Sequence, residues 1–397
     1  MNNIEAQVVI IGAGPGGITT SMFLSKYKIP HVLVDKKAFP RDKVCGENMD
    51  GRVPLTLRKI DNNLVEELKQ AGLIEETHDF SINLPKGKVP ISFKKDSTPR
   101  MLSKRIDFDA FLFERATTSE YCTLLNNQAL HNYRYEGNQI VFQGSSYEIK
   151  AKIAVAACGY QSKLLKNRKA DKQIYFFNRF YYSNKIGFEN SQVQTYYFES
   201  PVNCCLLIVP LPDNEFNIEL GIDKENYKKN KVRLEVLLNQ LITQNEELRN
   251  WFSTGIEIDK QRGVHLPISS SKKYFSDPNI LYVGTSSFCV NPITGMGIGN
   301  AMVMGEVASN EIKNYLSNPN FSPNDTKSYR TKARKRLRNV FILNAVINFF
   351  FRHLKYTTPI LMVMVRSKYL QSILSHTELL KNVSKPGFYL KKLFNRS

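Results

Sequence analysis

The spacing of apolar residues changes along this chain, and the changes mark out its elements. Val8 to Ile11 is an unbroken apolar run, short enough for a strand. It leads into glycines, after which Ile18, Met22 and Phe23 recur at helical spacing, and a second short strand, "HVLVD", ends at Asp35. That order predicts an α/β layer at the N-terminus. From Gln173 to Asp223 the pattern becomes strand-like: "IYFFNRFYYSNKI", "VQTYYFES", "CCLLIVPLP" and "EFNIELGID" follow one another and predict an antiparallel sheet. Arg233 to Phe252 reads as one amphipathic helix, with Leu234, Leu237, Leu238, Leu241 and Ile242 along one face. "LYVGTSSFCVNPITGMGIGNAM", from Leu281 to Met302, is again a strand, a glycine-rich turn and an Ala/Met-rich helix.

The first glycine-rich turn carries chemistry. Gly12, Gly14 and Gly17 stand in GxGxxG spacing. Gly12 permits the tight turn, Gly14 lets a pyrophosphate approach the backbone, and Gly17 lets the helix sit close to the strand. A carboxylate at Asp35 can accept both hydroxyls of a ribose, which favours a non-phosphorylated adenosine such as that of FAD or NAD.

After Asp35 comes "KKAFPRDKVCGENM". Pro40, Arg41, Lys43, Cys45, Gly46 and Glu47 resemble the Pro, Arg, basic, Cys-Gly-Glu motif of the FAD-dependent geranylgeranyl reductase-like flavoproteins, within the p-hydroxybenzoate hydroxylase-type fold. The resemblance spans about residues 5 to 310. It implies that this loop lies along a flavin, with the Cys45 and Gly46 backbone against the cofactor. In "SKRIDFDAFLFERA" it implies a flavin contact from Arg105, and Asp107 is a candidate cap for a helix over Phe108 to Ala116. The implied cofactor set also takes in Gly16, Lys36, Arg41 and Ala129. In "KIAVAACGYQSKLLK" Gly159 and Ser162 fit the family, but Cys158 stands where it has Asp. Around the second turn Gly284, Pro292, Gly295, Gly297, Ile298 and Gly299 match, and Thr285 stands where a carboxylate would hold the ribityl chain. Backbone amides and the helix dipole can serve the flavin without that acid. The family's aromatic tunnel motif is replaced by Cys205, Leu207 and Val209 before Pro210, so the resemblance implies an apolar pocket whose substrate need not be geranylgeranyl. His265 is expected to be structural.

The expected fold class is therefore α/β, a Rossmann-like FAD-binding domain with an antiparallel substrate domain and a basic helical tail. The FAD-binding domain is expected to be discontinuous, over 1–75, 100–165 and 275–326. The substrate domain takes 76–99 and 166–274, and the C-terminal region 327–397. Charge sharpens this division. Of the net +19, the region from Lys327 onward supplies +15, from sixteen Lys and Arg against Glu378 alone. Its apolar stretch, Val340 to Phe351, is broken by Asn344 and Asn348 and is too short to span a bilayer. A basic, partly apolar tail suits an anionic membrane surface or an acidic carrier protein, and with no nucleic-acid-binding motif beside it, nucleic acid is not expected.

Six cysteines without CxxC or Cys/His spacing give no metal site. Val8 to Ile11 runs straight into Gly12 and no secretion leader is expected, so a reduced, cytoplasmic setting, peripheral to the membrane, is the expectation. The leading functional expectation is reduction of carbon-carbon double bonds in an isoprenoid, polyene or other lipid-like substrate, with FAD as cofactor and NAD(P)H as electron donor. Cys45 and Glu47 are the candidate proton donors. The alternatives are a monooxygenase of the same fold acting on an aromatic or carrier-bound substrate, with a halogenase behind it because its Trp-containing signature is missing, and a degenerate, non-catalytic flavoprotein.

Overall fold

In the computed structural model, which describes residues 2–85, 87–92, 97–165, 174–183, 192–267, 274–288, 297–318, 320, 322 and 325–338, strand Asn2–Ile11 lies inside a mixed sheet. Its neighbours are Tyr147–Ala156 on one side and His31–Val34 on the other, both parallel, and Ile280–Tyr282 and Cys122–Leu125 extend the parallel set outward. Burial on both faces explains the unbroken apolar run. Val8 and Ile10 pack into the helical layer, while Val9 and Ile11 meet Val32, Val34 and Phe142 on the opposite side. Helix Pro15–Lys26 follows the first turn, and helix Gly297–Leu316 crosses it so closely that a Cβ on Gly305 would stand 2.7 Å from the Gly16 carbonyl oxygen. That crossing brings the two glycine-rich turns together, although some 270 residues separate them.

A second, seven-stranded sheet runs in the order Ile256–Pro267, Ile174–Ser183, Glu215–Asp223, Cys204–Leu211, Val193–Phe198, Asp79–Leu84, Gly87–Ser92. It is antiparallel except where Val193–Phe198 lies parallel to Asp79–Leu84. Alternation sorts its residues into two faces. Leu206, Ile208, Ile218, Leu220 and Ile222 point to the outer face and bury against Leu234, Leu237, Leu238, Leu241 and Leu248. Each fully buried Leu or Ile there contributes roughly 2 kcal/mol of apolar transfer. The opposite face carries Phe177, Arg179 and Tyr181 in one strand, in register with Gly221, Glu219 and Asn217 in the next, beside Cys205, Leu207 and Val209 in the third.

Two sequence expectations need correction. The helix expected over Arg233 to Phe252 is two, Leu234–Gln244 and Glu246–Phe252, because Asn245 leaves helical geometry at φ −121° and its side chain accepts the Leu248 N–H at 3.0 Å. The intervening Asn is an N-cap inside an otherwise periodic leucine pattern. Asp107 is not a cap: the helix spans Arg105–Thr117, Asp107 sits in its first turn, and the Arg105 N–H is taken by the distant Glu47 carboxylate at 2.9 Å. Asp107 still suits the positive end of the helix dipole. The C-terminal region after residue 338, with its apolar stretch, and Pro292 and Gly295 lie outside the described residues. Among those described, no helix is long and apolar enough to cross a membrane.

Candidate active site

The first turn has the geometry a diphosphate needs. Gly12 has φ +100°, and a Cβ there would lie 2.6 Å from the Ala157 carbonyl oxygen; on Gly17 it would lie 1.9 Å from that of Gly12. These two glycines are required by the fold. Gly14 differs: its φ −77° and ψ 176° suit any residue, and a Cβ would meet nothing nearer than Arg41 Nη2 at 3.9 Å. Its missing side chain leaves open space at the start of helix Pro15–Lys26, where amides and the dipole favour an anion. Asp35 is buried at the end of its strand and accepts the Ala13 and Lys37 N–H groups at 2.7 and 2.9 Å, one on each oxygen, which leaves lone pairs for a ribose. Arg41 donates to the Ala13 carbonyl at 3.2 Å, while its buried Nε has no partner among the described residues. Open space at Gly14 and an orphaned guanidinium nitrogen beside it fit the diphosphate and adenosine of FAD.

Beyond the turn lies a cleft with about 930 Å³ of empty space, partly open to solvent. One wall is nucleotide-side backbone from Gly14, Gly16, Cys45, Gly46, Gly284 and Thr285, together with Gly297 and Ile298 where the described part of the long helix begins. The other is the seven-stranded sheet, through Phe177, Leu207, Glu219 and Leu266. A planar ring lying along the first wall would thus face an apolar surface with one carboxyl group in it.

The loop Asp42 to Glu47 joins the two walls. Glu47 is inaccessible and held in the left-handed region at φ +56°. Besides the Arg105 N–H, its Oε1 accepts from the Tyr181 hydroxyl at 2.6 Å, and its Oε2 accepts from Asn217 Nδ2 at 3.0 Å. The same Asn217 amide donates to the Cys45 carbonyl at 2.6 Å. Arg179, 1% exposed, donates from both Nη atoms to the Asp42 carboxylate at 2.8 and 2.7 Å and lies 4.3 Å above the Tyr181 ring. Arg105 pairs with Asp109 at 2.8 and 2.5 Å within its own helix.

These contacts set the protonation states. Burial pushes Glu47 up to about 7, although Tyr181, the Arg105 amide and Asn217 all favour its charged form. Burial pushes Glu219 up to about 8, and the neighbouring Glu47 adds to the rise. Burial and the positive charge of Arg105 bring Lys43 down to about 8. Burial raises the Cys45 thiol. For Asp42 burial works upward, but the hydrogen bonds and charges of Arg179 and Arg262 prevail and hold it below the usual carboxylate range.

Of the residues singled out in the sequence, Gly14, Gly16, Lys43, Cys45, Gly46, Glu47, Arg105, Leu207, Gly284, Thr285, Gly297 and Ile298 line the cleft. Gly12 and Gly17 shape the turn from behind. Lys36 is exposed beside Asp35. Ala129 is half-buried one residue after Gln128, whose N–H donates to the Asp35 carbonyl at 2.8 Å. His265 lies outside the cleft lining, 4.8 Å from the Phe176 ring. Asp42, Arg179, Tyr181, Asn217 and Glu219 were not singled out. Their signal was present as period-two polar positions, Arg179 among aromatics and Asn217 and Glu219 among aliphatics, on what reads as a core-facing strand pair.

Residues 5–304 match the FAD binding domain family. Among curated relatives, the digeranylgeranylglycerophospholipid reductase of Thermoplasma acidophilum is 23% identical over 85% of this chain and 86% of its own. The menaquinone reductase of Mycobacterium tuberculosis is 24% identical over 77% and 76%. Among solved structures, a geranylgeranyl bacteriochlorophyll reductase-like protein from Thermoplasma acidophilum superposes with a TM-score of 0.80 at 20% identity, covering 99% of both chains. With the glycine turn, the Cys-Gly-Glu loop and the shared cleft already in place, the chain belongs to the FAD-binding domain family and is an FAD-dependent oxidoreductase of the geranylgeranyl reductase-like kind.

Proposed function

We propose that the protein reduces carbon-carbon double bonds in an isoprenoid or polyene lipid, using NAD(P)H as electron donor. The observation that carries this reading is the cleft, in which flavin-side backbone faces an apolar sheet surface formed by Phe177, Leu207 and Leu266. When bound, FAD supplies the two-electron chemistry, passing hydride from nicotinamide to substrate. The chain's own residues bind, orient and exclude water. The Gly14 turn and Arg41 would hold the diphosphate and Asp35 the ribose, while Cys45, Gly46 and Thr285 would lie along the ring and ribityl chain. Leu207, where the resembled motif has an aromatic, leaves room for a hydrocarbon chain against Phe177, and an apolar wall places an unactivated alkene without competing water.

The relatives' names specify reduction of a geranylgeranyl-bearing phospholipid and of menaquinone, which supports a lipid substrate here. A lipid would enter from a membrane, and the sixteen cations from residue 327 onward support an anionic membrane face as the place of action. The test is a half-reaction. Protein reduced anaerobically should have its flavin absorbance restored by a geranylgeranyl lipid. Reduced protein that no polyprenyl or polyene lipid reoxidises, yet that hydroxylates an aromatic when dioxygen is admitted, would replace this reading with the monooxygenase.

A further inference from the structure

Reducing a double bond takes two hydrogens of different origin. The π bond breaks, one carbon gains a hydride, which FAD would supply when bound and reduced, and its neighbour gains a proton from an acid within reach. The cleft offers few such acids. Arg105 is tied to Asp109 and does not release a proton at any ordinary pH. Lys43 belongs to the nucleotide wall, where Arg105, Asp109 and Arg41 are its charged neighbours. Cys45 is on the same wall, its sulfur accepting the Glu47 N–H at 3.5 Å. Glu47 is engaged from three elements at once, so its oxygens are occupied as acceptors that fix the loop against the sheet.

Glu219 is different in every respect. It is 8% exposed, it lines the cleft from the substrate sheet beside Phe177 and Leu207, and no hydrogen-bond partner among the described residues engages its carboxyl. Its Oε2 reaches across to the cofactor loop and would lie 2.8 Å from a Cβ on Gly46, so the glycine there is what leaves room for it. An acid buried to this degree, unpartnered and aimed into a cavity, is positioned to act on what the cavity holds.

We infer that Glu219 donates the proton that completes double-bond reduction, and that Glu47 is a positioning residue for the Asp42 to Glu47 loop along the cleft. This assignment rests on the reductase reading above. In the step, the Glu219 O–H bond breaks, a C–H bond forms on the substrate, and the resulting carboxylate recovers its proton from solvent at the open side of the cleft. The charged and titratable groups facing it are Arg179 across the strand pair, Glu47 and Cys45 on the loop, and Cys205 on the neighbouring strand. With its carboxyl raised to about 8, the donor form prevails at neutral pH and is lost above it.

Glu219→Gln keeps the shape and removes the acid. The variant should purify with the same FAD content and be reduced by NAD(P)H at the wild-type rate. Reoxidation of its reduced flavin by a geranylgeranyl lipid should be slowed at least about a hundredfold, the size expected for loss of general-acid catalysis. Glu219→Asp should recover part of the rate. The wild-type reoxidation rate should fall as pH rises through about 8, and Glu219→Gln should lack that limb. Reoxidation of Glu219→Gln at the wild-type rate would overturn the assignment while leaving the reductase reading intact. Equal slowing of both half-reactions would also overturn it, in favour of a structural role. If the wild-type protein itself is not reoxidised by the lipid, the reductase reading falls and the assignment with it.

Discussion

Gly14→Ala separates a glycine kept for a ligand from those kept for the fold. The position has ordinary extended geometry, and the nearest atom to an added Cβ is Arg41 Nη2 at 3.9 Å. Alanine is therefore accommodated without strain, and by restricting the unfolded chain it should stabilise the apoprotein by about 0.4–1 kcal/mol. The added methyl group would occupy the space through which a diphosphate approaches the amides at the start of helix Pro15–Lys26. Losing one charge-assisted hydrogen bond there costs about 1.5–3 kcal/mol. FAD affinity should fall roughly ten- to hundredfold. Titrating FAD into apoprotein by flavin fluorescence, alongside thermal melts of apoprotein, reads both quantities. Gly17→Ala is the contrast: its Cβ would stand 1.9 Å from the Gly12 carbonyl oxygen, so the apoprotein itself should be destabilised. An unchanged FAD affinity in a normally folded Gly14→Ala protein would refute the placement of the diphosphate at this turn.

Three further outcomes follow from the same geometry. Thr285→Asp should tighten FAD binding about tenfold, because a carboxylate on the cleft wall would add a charge-assisted hydrogen bond, and neutral or weakened binding counts against the ribityl assignment. Apoprotein stability should fall as pH rises from about 4.5 to about 8: the free glutamate titrates near 4.5 and folded Glu219 near 8, so between them the folded state binds the extra proton, and it loses that advantage on the way up. Glu219→Gln should flatten this slope in pH-dependent melts, and an unaltered slope would mean that Glu219 is not the group responsible. Leu207→Trp should fill the apolar side of the cleft and raise KM for a polyprenyl acceptor severalfold, without altering flavin reduction by NAD(P)H.

How much of this was legible in the sequence depended on whether the cause was local. Gly17 announces itself because its side chain would collide with the Gly12 carbonyl within the same strand, turn and helix unit, whereas the atoms that exclude a side chain from Gly12 belong to Ala157 and Cys158, far along the chain. Alternation in "EFNIELGID" predicts a strand, but which face lines the cleft depends on helices Leu234–Gln244 and Glu246–Phe252 covering the other. Asp107 looked like a cap because the true acceptor, Glu47, lies 58 residues away in the chain. That Asp42 and Glu47 pair with Arg179, Tyr181 and Asn217 was not legible for the same reason, since each bond joins the loop after the second strand to sheet residues more than 130 positions later. Asn245 could have been read, as an N-cap residue directly before two glutamates.

The most direct test of the central claim is the stoichiometry of anaerobic turnover, with nicotinamide oxidation followed by absorbance and the lipid product by mass spectrometry. One double bond of a geranylgeranyl lipid should be lost for each NAD(P)H oxidised, with dioxygen absent. Nicotinamide oxidation that begins only when dioxygen is admitted, with an oxygen atom appearing in the product, would contradict it.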